Sequence, residues 1–187
     1  MIKNKEELVD CLMYEKSIYS KYMFPTRSRY FMSRLKREPA RMLYSFIVLA
    51  RKTDYYFYQS KKGSLIHKLY YLYYVSLRNR LGEKLGLEVS TENANKGLLI
   101  YHYNNVINGG AIIGENCHLH GDNCIGNNGI TNDCPIIGDN VSLGVGAKVL
   151  GNVTIANNIK IAAGAVVVHS FLEEGIVLGG VPAKKIK

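Results

Sequence analysis

From Ile107 onward an aliphatic residue returns at every sixth position: Ile107, Ile113, Leu119 and Ile125, then Ile137, Leu143, Val149, Ile155, Ile161 and Val167. A small residue or asparagine follows most of them, at Asn108, Gly114, Gly126, Gly138, Gly144, Ala156 and Ala162. Four places after the aliphatic a second small or apolar position recurs, at Ala111, Cys117, Val141, Ala147, Val153 and Ala165. Neither an α-helix nor a hairpin has a period of six. A parallel β-helix does, because each hexad supplies a short strand with one inward aliphatic and then a turn. Three hexads close a triangular coil, so residues 18 apart are expected on neighbouring rungs, roughly 4.8 Å from one another. Stacked inward aliphatics then form one continuous core. The stretch "GNNGITNDCP" keeps the count but places Thr131 where an aliphatic is due, and it reads as a loop leaving the coil.

The repeat occupies only half of the chain. Residues 1–96 carry 19 Lys/Arg against 9 Asp/Glu and 12 of the 14 tyrosines, whereas residues 97–187 carry 5 basic against 6 acidic side chains. Two compositions predict two regions, 1–96 and 97–187. In the first, "KEELVDCLMYEKSIYSKY", "ARMLYSFIVLARKTDYYFYQ" and "SLIHKLYYLYYVSLRNRLGEKLG" space their apolar residues as helices do, the last with Ser64 as N-cap. The fold class expected is α+β: a helical N-terminal region followed by a parallel β-helix.

Composition narrows the function. Hydrophobic residues make up 47% and charged residues 21%, as in a globular protein. The longest apolar run, Met42 to Ala50, is too short to cross a bilayer, and the first ten residues hold three acids and no leader-like apolar segment, so a cytoplasmic location is expected. Cys11, Cys117, Cys124 and Cys134 make no C-x-x-C pair and suit no zinc site, so reduced thiols and no metal are expected. There is no G-x-G-x-x-G and no Walker sequence. The basic, tyrosine-rich half is read first as packed rings with a solvated charged face. Peripheral contact with an anionic membrane or glycan is the second reading. Nucleic acid, for which no motif is present, is not expected as a partner.

The five histidines are His67, His102, His118, His120 and His169. Alternate strand residues face opposite sides. With Leu119 inward, His118 and His120 face outward. If Tyr101 also takes an inward slot, His102 faces outward, and His102 and His120, 18 apart, stack on one outer wall.

The stretches "RNRLGEKLGLEVS", "VINGGAIIGENCHLH", "PIIGDNVSLGVGAKVLGNVTIANNIKIAAGAVVV" and "GGVPAKKIK" resemble the hexapeptide-repeat acyltransferases, and within them the serine acetyltransferase-like branch. The likeness covers roughly residues 80–187. It implies a left-handed coil, although parallel crossovers are ordinarily right-handed. It also implies acetyl-CoA as donor and a homotrimer with coenzyme A in the groove between neighbouring coils. By position, Asn127, Gly144, Val145, Ala162 and Ala163 would line that groove, with Val145 in place of a usual alanine, and Lys184 and Lys185 would neutralise phosphates. Direct transfer from a thioester to an alcohol needs a base near neutrality, which imidazole supplies. "HYNNVIN" is similar to the family stretch that carries the catalytic histidine, which assigns that role to His102. The stretch is one residue shorter than the family's, and if this shifts the frame the role passes to His120.

The acceptor side departs from the family. Serine acetyltransferases have an acid before the catalytic histidine, and a histidine with an arginine before the later proline. Tyr101 and Asp133-Cys134-Pro135 stand there instead. Without charged groups for an amino acid, Tyr101, Tyr103, Asn104, Asn105 and Asp122 read as ligands of a sugar hydroxyl, as in a surface-polysaccharide precursor. Serine O-acetylation for cysteine biosynthesis is the alternative, and a non-catalytic trimeric scaffold is the alternative of another class.

Overall fold

The computed structural model describes residues 2–187. Its contacts divide into two compact units, one ending at Leu85 and one spanning Gly86–Lys187.

The first unit holds four helices: α1 (Lys5–Tyr22), α2 (Arg27–Leu35), α3 (Pro39–Ser60) and α4 (Leu65–Leu85). Three of these match the helical spacings in the sequence. Asn4 caps α1 by accepting from the Glu7 amide, and the Ser64 hydroxyl accepts from the His67 amide at the head of α4. α2 had no periodic signal because it buries only Ser33 and leaves Phe31, Met32 and Leu35 exposed. Leu43, Phe46, Ile47 and Ala50 of α3 form the centre of the unit. There, too, Arg51 donates from Nε and Nη2 to one Glu15 oxygen at 3.1 and 2.8 Å, with both side chains almost wholly buried. Burial opposes the Arg51 charge, but Glu15, with smaller help from Cys11 and Asp54, outweighs it and holds the guanidinium above its ordinary value. Among the described residues no helix is long and apolar enough to cross a membrane.

The second unit is a left-handed parallel β-helix with three walls. The first wall stacks β1 (Glu88–Val89), β3 (Val106–Ile107), β6 (Cys124–Gly126), β9 (Lys148–Leu150) and β12 (Val166–Val167). The second stacks β4 (Ile112–Ile113), β7 (Ile136–Ile137) and β10 (Thr154–Ile155). The third stacks β2 (Leu99–Ile100), β5 (His118–Leu119), β8 (Ser142–Leu143), β11 (Lys160–Ile161) and β13 (Val177–Gly179), with β14 (Lys184–Lys185) returning antiparallel at its edge. Every hexad aliphatic from Ile107 to Val167 is inward and at most 2% exposed. Each such burial contributes about 1.5–3 kcal/mol. Buried Cys117 belongs to this core, where burial pushes its thiol up to about 12 and leaves it inert.

The coil begins earlier than residue 97, because Glu88 and Val89 already pair with Val106 and Ile107. Composition changes later than topology here. Apart from Ala94, which is buried and bridges to Ile113, the residues between the first strand and Lys96 are polar, so the hexad signal is absent although the backbone is already coiled. The register is also less uniform than a strict step of 18. Val106 pairs with Cys124 at that step, but Cys124 pairs with Lys148, six further on, because residues 127–135 leave the coil as expected. Leu99 pairs with His118, a step of 19.

Candidate active site

That step of 19 decides the geometry around the histidines. Ile100, not Tyr101, is the inward residue, fully buried and paired with Leu119. Tyr101 therefore faces outward, and its amide donates to the Leu119 carbonyl at 2.9 Å. The Tyr101 ring lies flat on the His120 imidazole, with centroids 4.5 Å apart and planes 13° apart, and meets His118 edge-on at 5.9 Å. The expectation that Tyr101 points inward and His102 stacks on His120 is thus corrected. The turn from β2 to β3 holds one residue more than the turn from β5 to β6, and the extra residue carries His102 past the strand into the corner.

His102 lies exposed at that corner, directly over Gly121. Gly121 has φ +114, and a Cβ on it would stand 2.8 Å from the His102 Cβ, so glycine answers both the backbone and the space. His120 is half-buried, with its Nε2 3.3 Å from the Ser142 hydroxyl on the next rung. Burial first, and the nearby His102 second, hold the His120 imidazole below its ordinary value, so it is neutral at pH 7. Ser142 escaped the sequence reading. It pairs with His118 across the 24-residue step that the excursion of residues 127–135 imposes.

The expected acceptor residues separate. Tyr103, Asn104 and Asp122 are exposed at the corner, and the Asp122 amide donates to the Tyr103 carbonyl at 3.0 Å. Asn104 and Asp122 hold left-handed φ values of +60 and +52, the turn conformation that asparagine and aspartate tolerate. Asn105 does not face a ligand. It is fully buried, its amide donates to the His102 and Tyr103 carbonyls, and its Oδ1 accepts from the Asn123 amide. Asn123, also buried, accepts from the Gly121 amide and donates to the Gly144 and Ala147 carbonyls. These two asparagines are internal struts of the corner, a role the sequence reading missed. Their 18-residue spacing was the available signal.

The expected cofactor residues gather on the same corner. Gly144 and Val145 follow β8, and Ala162 and Ala163 follow β11, as His120 and Gly121 follow β5. Backbone bonds tie the levels: Gly146 donates to the Gly121 carbonyl at 2.9 Å and Gly164 to that of Val145 at 2.8 Å. A Cβ on Gly144 would meet the Ala163 nitrogen at 2.6 Å, so these turns stack at backbone contact distance. Lys184 pairs with Gly179 at the foot of this column. Lys185 is exposed and ion-paired with Glu173 at 2.6 Å. Asn127 lies elsewhere, on the corner after β6, where it turns the loop by accepting from the Gly129 amide.

No family model matches the chain. Serine acetyltransferase 2 of Arabidopsis thaliana is 31% identical over 159 residues, covering 81% of this chain and 48% of that protein. A serine acetyltransferase of Neisseria gonorrhoeae, solved with serine, is 26% identical and superposes with a TM-score of 0.70 over 98% of this chain and 70% of that one. In sequence and in fold the chain is similar to the serine acetyltransferases, which carry the hexapeptide-repeat coil. Another member of that fold, the Brucella abortus serine acetyltransferase solved with coenzyme A, is 23% identical with a TM-score of 0.73, covering 97% of this chain and 68% of that one. The chain spans less than half the length of the curated serine acetyltransferases it matches. Each of these relatives is named a serine acetyltransferase, and none is named for a sugar acceptor such as the one expected from Tyr101 and Asp133-Cys134.

Proposed function

We propose that the chain is an acetyl-CoA-dependent O-acetyltransferase that uses an imidazole as general base. The observation that carries this is the shared corner: His102 and His120 stand at the head of the column of small residues formed by Gly144, Val145, Ala162 and Ala163. Small side chains and stacked turns leave room for an extended thioester, and the Brucella relative was solved with coenzyme A. Lys184 at the foot of the column supplies positive charge for phosphate. Second coils completing the groove would make the active species a homotrimer.

His102 is assigned as the base. It is exposed at the corner, where an acceptor hydroxyl can reach it, and removal of that proton as the hydroxyl attacks the thioester carbonyl yields the acetyl ester and free coenzyme A. His120, held neutral beside it, adds no competing charge and contributes position. The preferred acceptor is serine, on the strength of the relatives. A second reading, a sugar hydroxyl, is favoured by Tyr101 and Asp133-Cys134 standing where charged partners of an amino acid are expected.

Coenzyme A release should be followed with acetyl-CoA and either serine or a panel of sugars and nucleotide-sugars. His102→Ala should lower turnover by about 10²- to 10⁴-fold, and His120→Ala by less. Unchanged turnover in His102→Ala removes the base assignment. Turnover with sugars alone replaces serine as the acceptor. A calorimetric titration that finds no coenzyme A binding leaves a scaffold.

A further inference from the structure

Between Arg27 and Arg41 the chain carries six cations, Arg27, Arg29, Arg34, Lys36, Arg37 and Arg41, against the single acid Glu38. Three of them, Arg34, Arg37 and Arg41, line a cleft of about 280 Å³ together with Met42, Ser45 and Leu81, and among the described residues no carboxylate lines it. Every residue that lines the cleft belongs to the helical unit. Gathering like charges in one concavity is unfavourable unless an opposite charge joins them.

Two features show that the arginines are held in place. The Arg41 guanidinium sits 4.4 Å from the centre of the Tyr30 ring and 5.5 Å from that of Tyr44, clamped between aromatic faces. Its Nη1 is nonetheless buried with no hydrogen-bond partner among the described residues, a donor whose burial costs free energy until an acceptor arrives. Arg37 holds φ +51, the left-handed region that a side chain other than glycine occupies at a cost. That turn, between the end of α2 and the Glu38 N-cap of α3, places the Arg37 side chain on the cleft.

We propose that this cleft binds a phosphate-type oxyanion. Planar guanidinium groups donate paired hydrogen bonds to phosphate oxygens, and three of them match the charge and the several acceptors of a phosphoryl group. Two sources share that chemistry: a small phosphorylated compound and a phospholipid headgroup. The exposed Phe31, Met32 and Leu35 on α2 give the second source an apolar surface to meet.

The test uses the full chain. Inorganic phosphate is titrated by calorimetry, and phosphatidylcholine vesicles with and without phosphatidylglycerol are sedimented with the protein. The variant pairs Arg34→Gln with Arg37→Gly. Both positions are exposed, and glycine suits the left-handed backbone at Arg37, so the fold is expected to hold, as circular dichroism would check. A second variant, Lys184→Ala with Lys185→Ala, removes the cations of the coil. Saturable phosphate binding that weakens about tenfold or more in the arginine variant and survives in the lysine variant supports a soluble ligand. Binding only to phosphatidylglycerol vesicles, lost in the arginine variant, supports a headgroup. Absence of both, or binding indifferent to the arginine variant, overturns the proposal.

Discussion

The Tyr101 ring covers one face of the His120 imidazole, 4.5 Å away and nearly parallel to it. That cover contributes to the burial that keeps His120 below its ordinary value. Tyr101→Ala should therefore raise the His120 value, read as an upward shift of its ring-proton titration by NMR. The same shift gives a stability dependence. With the folded value below the unfolded one, the unfolded state binds more protons between the two. The contribution of His120 is complete above its unfolded value, about 6.5, and is lost as pH falls through the folded value. Urea midpoints should drop on acidification across that window, and His120→Gln should flatten the drop.

Gly121 supports His102 by lacking a side chain. Gly121→Ala would force a Cβ against the His102 Cβ and place alanine at φ +114. It should destabilise the coil by about 1–3 kcal/mol and lower turnover beyond what the stability loss explains, since His102 must move. Chemical denaturation together with steady-state rates separates the two effects.

Asn123 is 1% exposed and serves the Gly121 amide and the Gly144 and Ala147 carbonyls. Asn123→Ala removes the acceptor of the buried Gly121 amide and one of the two donors to each of the Gly144 and Ala147 carbonyls, and should cost about 1–3 kcal/mol. Amide hydrogen exchange should quicken first at Gly121 and the neighbouring turn. Exchange rising uniformly over the coil would show that the corner is not a local unit.

In the helical unit, Arg51→Met alone takes away the cation bonded to the Glu15 carboxylate, which is 0% exposed. The expected loss is roughly 3–5 kcal/mol, whereas Glu15→Leu with Arg51→Met should recover most of it. Thermal melts of the two variants decide whether the ion pair is replaceable by packing.

The period of six determined the walls of the coil, its inward residues and the loop after Gly126, because which face a strand residue takes depends only on its immediate neighbours. Helix spacing likewise announced α1, α3 and α4, while α2, with a single buried side chain, left no pattern to find. The histidines that face solvent and the small residues below them were legible one by one. What joins them was not. The number of residues spent in each corner sets which rung meets which, and the polypeptide does not announce that number. One additional residue between Ile100 and Val106 turned Tyr101 onto His120 and sent His102 to the corner, and the excursion before Ile136 brought Ser142 beneath the same ring. Partners across a ladder are decided by turn length summed around the coil, a quantity that exists only once the chain has closed on itself.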